Sequence, residues 1–349
     1  MRVAASAVVL PSGVIGPAAV DIEGDRIAAV TPVASAPDRV LAPGFVDLQV
    51  NGIDDIDVAS ASGADWDQLE RRVLAQGVTT WCPTLVTAPI DRYGPALERI
   101  AAAAARSPLI AGAHLEGPFL GGAPGAHRRD WMQALSLDWL AGLPPVVRIM
   151  TLAPELAGAV DCVRLLVERG ALVSLGHSTA TYEEAEAAVE AGARLVTHLF
   201  NGMGPLHHRS PGLVGAALSD DRLTTSVIAD FVHVHPAAIA AAFRAKGPGR
   251  VVLVTDRVAA AEAGGAPRLA DGTLAGSVLT MDGAVRNVVG QCGVSLADAV
   301  LAASTTPARL IGLADRGRIE PGARADLVAL TPEPDLTVEQ VWVGGVPAG

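Results

Sequence analysis

The chain has 349 residues, half of them hydrophobic, and a formal net charge of −11. This acidic balance argues against nucleic acid and anionic membranes as partners, and no apolar run reaches the roughly 18 residues of a membrane span. The three cysteines lie far apart without a CxxC spacing, which is typical of reduced thiols in a cytoplasmic protein.

The two ends of the chain have the same character and predict one small β domain. Residues 1–42 carry short alternating runs between turn signals at Pro11–Gly13 and Glu23–Asp25, and residues 316–349 are similarly rich in β-forming residues. We therefore expect the ends to pair into a β-sandwich. Residues 43–315 would then form a second domain, inserted between the two halves of the first.

The central region alternates β-rich runs with helical stretches. The predicted strands are 45–50, 79–85, 109–116, 147–152, 171–177, 194–199, 225–230 and 250–256. The predicted helices are 65–76, 154–169, 182–191, 236–246, 295–305 and 307–313, whereas residues 261–294 are expected to be irregular. Eight strands that alternate with helices predict an α/β fold, the (β/α)₈ TIM barrel. A doubly wound open sheet is the alternative, but it needs a Gly-rich loop after its first strand, where NGIDDIDV (51–58) stands instead.

Four polar residues each close one of the predicted strands, namely Glu116, His177, His198 and Asp256. In a barrel such strand ends open into a common mouth. The first three make up the His₂Glu ligand set of a catalytic metal site, where the ion lowers the pKa of a bound water. Asp256 is placed to accept the proton of that water and to pass it to a leaving group. A lone histidine is more often a core or loop residue, so the prediction depends on all four strand ends together.

Longer segments resemble the N-acetylglucosamine-6-phosphate deacetylases of the amidohydrolase superfamily. The matching segments are APGFVDLQVNG (42–52), HLEGPFL (114–120), GAH (125–127), GHSTA (176–180), THLFNGM (197–203), PGLVGA (211–216), VTD (254–256), SVLTMDGAVRN (277–287), ASTTPARLIGL (303–313) and GRIEPGARADLVAL (317–330). The resemblance spans nearly the whole chain in collinear order. It implies a barrel with a split sandwich, usually as a homodimer. The implied activity is metal-dependent conversion of N-acetylglucosamine 6-phosphate to glucosamine 6-phosphate and acetate, in amino-sugar catabolism or cell-wall recycling.

The resemblance also implies a metal site. It assigns the metal to Glu116, His177 and His198 and the acid/base role to Asp256, in agreement with the argument from strand ends. Gln49 and Asn51 stand where many amidohydrolases carry His-x-His for a second ion. Because amides are poor ligands, we expect one divalent ion per subunit, with zinc first and iron, cobalt or manganese also compatible. Polar filling of the barrel is the alternative for Gln49 and Asn51.

Substrate contacts follow from the same resemblance. Asn201 and the backbone amide of Gly202 are expected to bind the sugar phosphate, and Arg209 is expected to reach it from the neighbouring subunit. The alternative for the loop of Arg209 is an ordinary solvated loop. His127 is expected at a sugar hydroxyl, and His233 at the acetamide carbonyl, where it would stabilise the developing oxyanion. His114 is expected to play a supporting role, and His235 to lie on the surface.

Three departures from the family leave the identity of the amino sugar open. Residues 53–58 (IDDIDV) are acidic rather than Gly-rich, residues 121–124 (GGAP) lack basic side chains, and Arg257 follows Asp256 where a small residue is usual. An arginine there would lower the pKa of Asp256 or touch the substrate. The alternatives are the same amide hydrolysis on another N-acyl amino-sugar phosphate or a cyclic amide, and a non-catalytic barrel retained as a scaffold.

Overall fold

The structure is a computed structural model that describes residues 1–260 and 265–348. Its strands are β1 (Arg2–Ala5), β2 (Ala7–Leu10), β3 (Gly13–Ile15), β4 (Ala18–Glu23), β5 (Arg26–Pro32), β6 (Val40–Pro43), β7 (Phe45–Val50), β8 (Gly52–Ile53), β9 (Ile56–Asp57), β10 (Val78–Val86), β11 (Ala113–Glu116), β12 (Val147–Leu152), β13 (Leu172–Leu175), β14 (Leu195–Val196), β15 (Thr224–Val227), β16 (Val251–Leu253), β17 (Leu327–Leu330), β18 (Val338–Val343) and β19 (Val346–Ala348).

The helices alternate with the strands through the middle of the chain. They are α1 (Asp65–Leu74), α2 (Tyr93–Ala104), α3 (Leu137–Ala141), α4 (Ala159–Glu168), α5 (Tyr182–Ala191), α6 (Gly212–Ser219), α7 (Pro236–Lys246), α8 (Met281–Cys292), α9 (Leu296–Val300) and α10 (Thr306–Leu310), with a π-helical turn at Leu301–Thr305 between the last two. Within the described ranges, no helix combines the length and apolar character that a bilayer crossing requires.

Eight parallel strands form the barrel, in the order β7, β10, β11, β12, β13, β14, β15 and β16. All six residues of β7 are buried, as expected for a parallel strand that is covered on both faces. The ring closes at the end of β7 and just past β16, where Asp256 N donates to Gln49 O (3.0 Å) and Asn51 N donates to Arg257 O (2.7 Å). The predicted TIM barrel is therefore confirmed, and the closing hydrogen bonds lie at its C-terminal mouth.

The two ends of the chain form the sandwich. One antiparallel sheet has the order β1-β4-β5, and the other runs β19-β18-β17-β6-β2-β3. Strand β6 from the first part of the chain pairs antiparallel with β17 from the last part. Side chains of both sheets share a core that includes Val3, Val20, Leu327 and Trp342. The predicted fold class, a barrel with a small sandwich built from both ends, is thus confirmed.

Helix positions follow the prediction closely where the caps are strong. Helix α5 begins at a capping box formed by Thr181 and Glu184 and ends at Gly192, which takes a left-handed φ of 119°. The predicted helix 154–169 was wrong at its start, because Gly158 has a φ of 84° and α4 begins only after it. Helices α2, α3 and α6 were not predicted.

The expectation that residues 261–294 are irregular is wrong for their second half. Thr280 caps α8 by accepting a hydrogen bond from the backbone of Gly283, and the helix buries Met281, Val285 and Val288 at helical spacing. The glycines of this stretch hid the pattern. Residues 261–264 lie outside the described residues.

Candidate active site

A cavity of about 390 Å³ opens at the C-terminal mouth of the barrel. Glu116, His177, His198 and Asp256 all line it, and all four are buried. Glu116 is the last residue of β11, whereas the two histidines follow β13 and β14 and Asp256 follows β16. The structure therefore brings together the four strand-end residues that the sequence singled out, in a volume that suits a small-molecule ligand.

Three of these residues leave the strand conformation. His177, His198 and Asp256 have φ values of 49°, 33° and 49°, in the left-handed region that side chains other than glycine rarely adopt. The predicted strands 171–177, 194–199 and 250–256 were therefore too long at their ends. Strain of about 1–3 kcal/mol per residue persists only where the surroundings impose it, and such residues concentrate at functional sites.

The side chains of Glu116, His177 and His198 meet at one point. Oε1 of Glu116 lies 2.9 Å from Nε2 of His177 and 2.8 Å from Nε2 of His198, and the two nitrogens are 3.1 Å apart. Three protein ligands bound about 2.0–2.2 Å from a tetrahedral ion would be separated by little more than this. The donor set and its spacing therefore fit a divalent metal.

His127 is a second neighbour of the carboxylate and competes as a ligand. Its Nε2 lies 3.9 Å from Oε1 of Glu116, and the ligand atoms of Glu116, His127 and His177 lie within 4.8 Å of one another. However, its Nδ1 accepts a hydrogen bond from the backbone of Thr87 (3.3 Å), so the neutral ring carries its proton on Nε2. In His177, by contrast, Nδ1 donates to the carbonyl of Ala123 (3.2 Å), which leaves Nε2 free to bind a metal.

The protonation of this cluster also fits a metal site. Burial alone would raise the pKa of Glu116, but the contacts with His127, His177 and His198 outweigh it and hold the pKa well below its usual value. Burial lowers the pKa of His177 to about 4, and the neighbouring His127 adds to this effect. Burial also opposes the charged form of His198, yet Glu116 outweighs it and raises the pKa. An ionised carboxylate and a neutral imidazole are ligand states, and a cation bound here would compete with protonation of His198.

Gln49 and Asn51 act as donors between the carboxylates. Nε2 of Gln49 donates to Oε2 of Glu116 (3.1 Å) and to Oδ1 of Asp256 (3.0 Å), and Nδ2 of Asn51 donates to the same Oδ1 (2.7 Å). These contacts are more specific than the polar filling considered above. The two amides therefore supply uncharged donors to the two neighbouring carboxylates.

Asp256 combines burial with a raised pKa. Its removal from water and then the nearby charge of Glu116 raise its pKa to about 6. A group with a pKa near the working pH can both accept and return a proton, which suits general acid–base catalysis. The geometry is therefore compatible with the role expected from the sequence.

His233 lines the same cavity and has a partner that the sequence reasoning missed. Its Nδ1 donates to Oδ2 of Asp230 (2.7 Å), and its backbone N–H donates to Oδ1 of the same residue (2.8 Å). Burial raises the pKa of Asp230, but the bonds with His233 outweigh it and lower the pKa. The carboxylate fixes the ring so that Nε2 is free for substrate. The spacing of three residues in DFVH was the only signal for this pair.

The predicted phosphate contacts divide into two groups. Asn201 and Gly202 line the cavity, and Nδ2 of Asn201 donates to the carbonyl of His198 (3.2 Å). Arg209 is exposed, lies outside the cavity wall of this subunit, and pairs through Nη1 with Nε2 of His208 (2.9 Å). The structure therefore brings only the first two into the pocket of one chain.

The side chain of Arg257 contacts Asp54, not Asp256 as one of the expectations had it. Its Nη2 donates to Oδ1 of Asp54 at 2.8 Å, and Arg72 contacts the other oxygen of Asp54 at 3.4 Å. The expectation that Arg257 acts on Asp256 or on the substrate is therefore replaced by an ion pair with the β8–β9 turn. Two of the departures from the family, the acidic segment and Arg257, form one contact.

The remaining histidines have structural partners. Nδ1 of His114 donates to the carbonyl of Leu48 (2.9 Å), and Nε2 accepts from Oγ1 of Thr151 (2.7 Å). Burial lowers the pKa of His114 to about 4, so the ring is neutral and joins β7, β11 and β12 beneath the site. His235 is exposed and accepts a hydrogen bond from Ala237 at the start of α7.

Comparisons with known proteins agree with this architecture. The Amidohydrolase family model matches residues 40–348. The N-acetylgalactosamine-6-phosphate deacetylase of Escherichia coli O157:H7 is 39% identical over 347 residues, which cover 91% of this chain and 91% of the relative. The N-acetylglucosamine-6-phosphate deacetylase of Homo sapiens is 40% identical over 342 residues, which cover 88% of this chain and 83% of the relative.

A solved structure is similar to this chain along its whole length. A mutant N-acetyl-D-glucosamine-6-phosphate deacetylase from Mycobacterium smegmatis, in complex with N-acetyl-D-glucosamine-6-phosphate, superposes with a TM-score of 0.94. It is 33% identical in sequence, and the match covers 99% of this chain and 98% of that one. This chain therefore belongs to the amidohydrolase family and, within it, to the family of the N-acetylglucosamine-6-phosphate deacetylases.

Proposed function

We propose that this protein hydrolyses the acetamide of N-acetylglucosamine 6-phosphate to give glucosamine 6-phosphate and acetate, in amino-sugar catabolism or cell-wall recycling. The observation that carries the proposal is the convergence of Glu116, His177 and His198 within 3.1 Å of one another, beside the buried Asp256. The names and extent of the related deacetylases support the same substrate class.

We propose Glu116, His177 and His198 as the ligands of one divalent ion, with zinc first and iron, cobalt or manganese as alternatives. When bound, this ion supplies the activation of the attacking water and the polarisation of the amide carbonyl. The donor bonds of Gln49 and Asn51 to the two carboxylates support a single ion rather than two.

The side chains of the chain itself would move the protons. Asp256 accepts the proton of the attacking water as the new C–O bond forms, and returns it to the amide nitrogen as the C–N bond breaks. Nε2 of His233, oriented by Asp230, faces the developing oxyanion and stabilises it when the ring is protonated. The acid proton of the new acetic acid passes to the amine, so the products are acetate and the ammonium form of the amino sugar, and atoms and charges balance.

Binding of the sugar phosphate would involve both walls of the cavity. We propose Asn201 and the amide of Gly202 for the phosphate, and His127, whose Nε2–H points toward the ion site, for a sugar hydroxyl. Arg209 would act from the neighbouring subunit of a homodimer, which its position outside its own pocket permits. The three buried, unpaired cysteines support a cytoplasmic location.

The domain boundaries are also a proposal. Residues 43–315 would fold as the catalytic barrel, and residues 1–42 with 316–349 as the sandwich. The separate apolar cluster shared by both ends of the chain supports this division.

The second candidate substrate is N-acetylgalactosamine 6-phosphate. The N-acetylgalactosamine-6-phosphate deacetylase of Escherichia coli O157:H7 is about as similar to this chain as the human N-acetylglucosamine-6-phosphate deacetylase, at 39% and 40% identity. The two sugars differ only in the configuration at carbon 4, so the same metal chemistry serves both.

One assay series tests the proposal. We expect acetate release from N-acetylglucosamine 6-phosphate, its loss after treatment with a chelator, and its recovery when a divalent metal is added back. The 4-epimer and the two sugars without phosphate are measured alongside. Faster turnover of the galactosamine substrate would favour the second candidate, and equal turnover with and without phosphate would exclude both.

A further inference from the structure

Arg128 stands out among the residues that line the cavity. It is the only arginine or lysine in the wall as far as the structure describes it, and the floor carries the acidic Glu116 and Asp256. A phosphate monoester carries close to two negative charges, so an acidic pocket in an acidic chain disfavours it unless a local cation compensates. Arg209 does not line this pocket, so Arg128 is the guanidinium that the described wall of the pocket offers to a phosphate within the subunit.

The backbone before Arg128 is anchored beside the proposed metal ligands. The ring of the preceding His127 packs edge-on against His177, with centroids 4.3 Å apart, and accepts a hydrogen bond from the backbone of Thr87. The backbone N–H of His127 donates to the carbonyl of Pro124 at 3.1 Å. These contacts set the position of the Arg128 backbone relative to the reaction centre.

The guanidinium itself is held in a defined orientation. Nε and Nη2 of Arg128 donate to the two oxygens of Asp130 at 3.1 and 2.6 Å, and the group lies 4.2 Å from the centroid of the Trp131 ring. Trp131 lines the cavity as well. The bonds to Asp130 use one edge of the fork, so Nη1 and the second proton of Nη2 stay available for an anion.

The exposure of Arg128 places it at the rim. Its side chain is 59% exposed, whereas the four strand-end residues at the floor are buried. A substrate bound with its acetamide at the floor would then have its phosphate near the rim, where Arg128 lies. Loop residues at the rim can also differ between relatives without disturbing the metal ligands.

We propose that Arg128, held by Asp130 and Trp131, is a phosphate-binding residue that acts within its own subunit and selects phosphorylated over unphosphorylated amino sugars. The inference rests on the proposed function. It adds a cation to the site that is independent of the neighbouring subunit and of Arg209.

The test compares Arg128→Gln with Arg129→Gln, because Arg129 is the next residue, is exposed and does not line the cavity. We expect Arg128→Gln to raise KM for N-acetylglucosamine 6-phosphate by at least ~10-fold, since a charge-assisted hydrogen bond is lost, with little change in kcat. The kcat/KM for unphosphorylated N-acetylglucosamine should stay within about 2-fold, and Arg129→Gln should match the wild type on both sugars. Arg128→Lys, which keeps the charge but not the fork, should recover part of the loss.

Inhibition by inorganic phosphate provides a second readout that does not depend on substrate chemistry. Its inhibition constant should rise in Arg128→Gln and not in Arg129→Gln. The inference is overturned if the wild type requires the phosphate while Arg128→Gln keeps its KM, or if the variant loses both sugars equally. A wild type that is indifferent to the phosphate would instead refute the proposed function itself.

Discussion

Asp256 is the residue on which the proposed proton transfer depends. Gln49 and Asn51 both donate to its Oδ1, so Oδ2 is left for the reacting proton within the described part of the chain. The two amides also keep the carboxylate next to the ion site without neutralising it. Its position is thus set by neutral donors, whereas its pKa is set by burial.

Replacement of Asp256 by Asn should abolish proton transfer without emptying the metal site. We expect kcat to fall by at least ~10², since general acid–base catalysis contributes 10²–10⁴-fold. Metal content, measured by elemental analysis after dialysis, should not change because Asp256 is not among the proposed ligands. Asp67→Asn, an exposed position on α1, is the control and should leave both quantities unchanged. Near-normal turnover of Asp256→Asn would contradict the assigned role.

The pH dependence of activity should report the same carboxylate. Because burial raises the pKa of Asp256 to about 6, the group is protonated below that pH and cannot accept a proton. We expect kcat/KM to rise with pH through about 6 and to level off above it, when measured by acetate release at constant metal occupancy. A profile that is flat between pH 5 and 8 would exclude Asp256 as the base.

Gly202 leaves room for the ring of His177, one of the proposed metal ligands. Its φ is 58°, and a Cβ atom at this position would lie 2.7 Å from Nδ1 of His177. We expect Gly202→Ala to displace the imidazole from the carbonyl of Ala123 and to weaken metal affinity by about 10–100-fold, the usual effect of losing such a support. Competition with a chromogenic chelator measures the affinity.

Gly204→Ala is the matched control, because a Cβ there would have nothing within 4 Å. The control should bind metal as the wild type does. If Gly202→Ala also binds metal with wild-type affinity, the close approach of Gly202 to His177 does not contribute to metal binding.

At the scale of single elements, the strand ends were predictable but their backbone was not. Apolar runs that end in one polar residue located the mouth of the barrel, since this pattern depends only on local sequence. The left-handed φ of His198 depends instead on distant partners, such as Ser226, whose Oγ accepts the backbone N–H of His198 at 2.7 Å. No local pattern contains that information.

Among the helices and the side-chain partners, too, some features could be predicted from local sequence and others could not. Helix α5 could be read from its cap and its final glycine, whereas α8 carries Gly283 and Gly290 inside it and was taken for irregular chain. Its buried face becomes evident only when the neighbouring elements are known. The partners of His233 and Arg257, which are Asp230 and Asp54, likewise follow from geometry more than from spacing.

The pair of Arg257 and Asp54 is expected to hold the β8–β9 turn against the end of the last barrel strand. The Arg257 side chain is only 11% exposed, so its contact with Asp54 is less screened than a surface pair. A double-mutant cycle with Asp54→Asn and Arg257→Gln should give a coupling of about 1 kcal/mol in the free energy of unfolding, measured in urea.

The pair of Arg164 and Asp161 on α4 serves as the control for this cycle, since both side chains are exposed and the pair should couple more weakly. Arg257→Gln should also lower kcat, with a smaller effect on KM. The reason is that the turn lies beside Asn51, whose side chain orients Asp256. Additive effects of the two substitutions would show that the pair does not hold the turn.

At the scale of the whole molecule, the net charge of the chain and its assembly both affect how the phosphate is bound. The chain carries a net charge of −11, and yet the proposed substrate is an anion. Local cations must therefore concentrate where the phosphate binds. Arg128 lies in the pocket of its own subunit, whereas Arg209, with His207 and His208, lies outside it and is exposed. The second cluster can contribute only if another copy of the chain delivers it.

Complementation between two inactive variants tests this assembly. A dimer that contains one Asp256→Asn chain and one Arg209→Ala chain has one site with both residues intact, provided that Arg209 acts across the interface. If Arg209 acts within its own chain, both sites of the mixed dimer are defective. Random pairing makes half of the dimers mixed, so co-expression should restore about a quarter of wild-type activity at low substrate concentration, as two-fold symmetry requires. Each variant expressed alone gives the baseline, and light scattering checks that the species is a dimer. Activity no higher than the mean of the two baselines, or a monomeric protein, would show that Arg209 does not act across an interface.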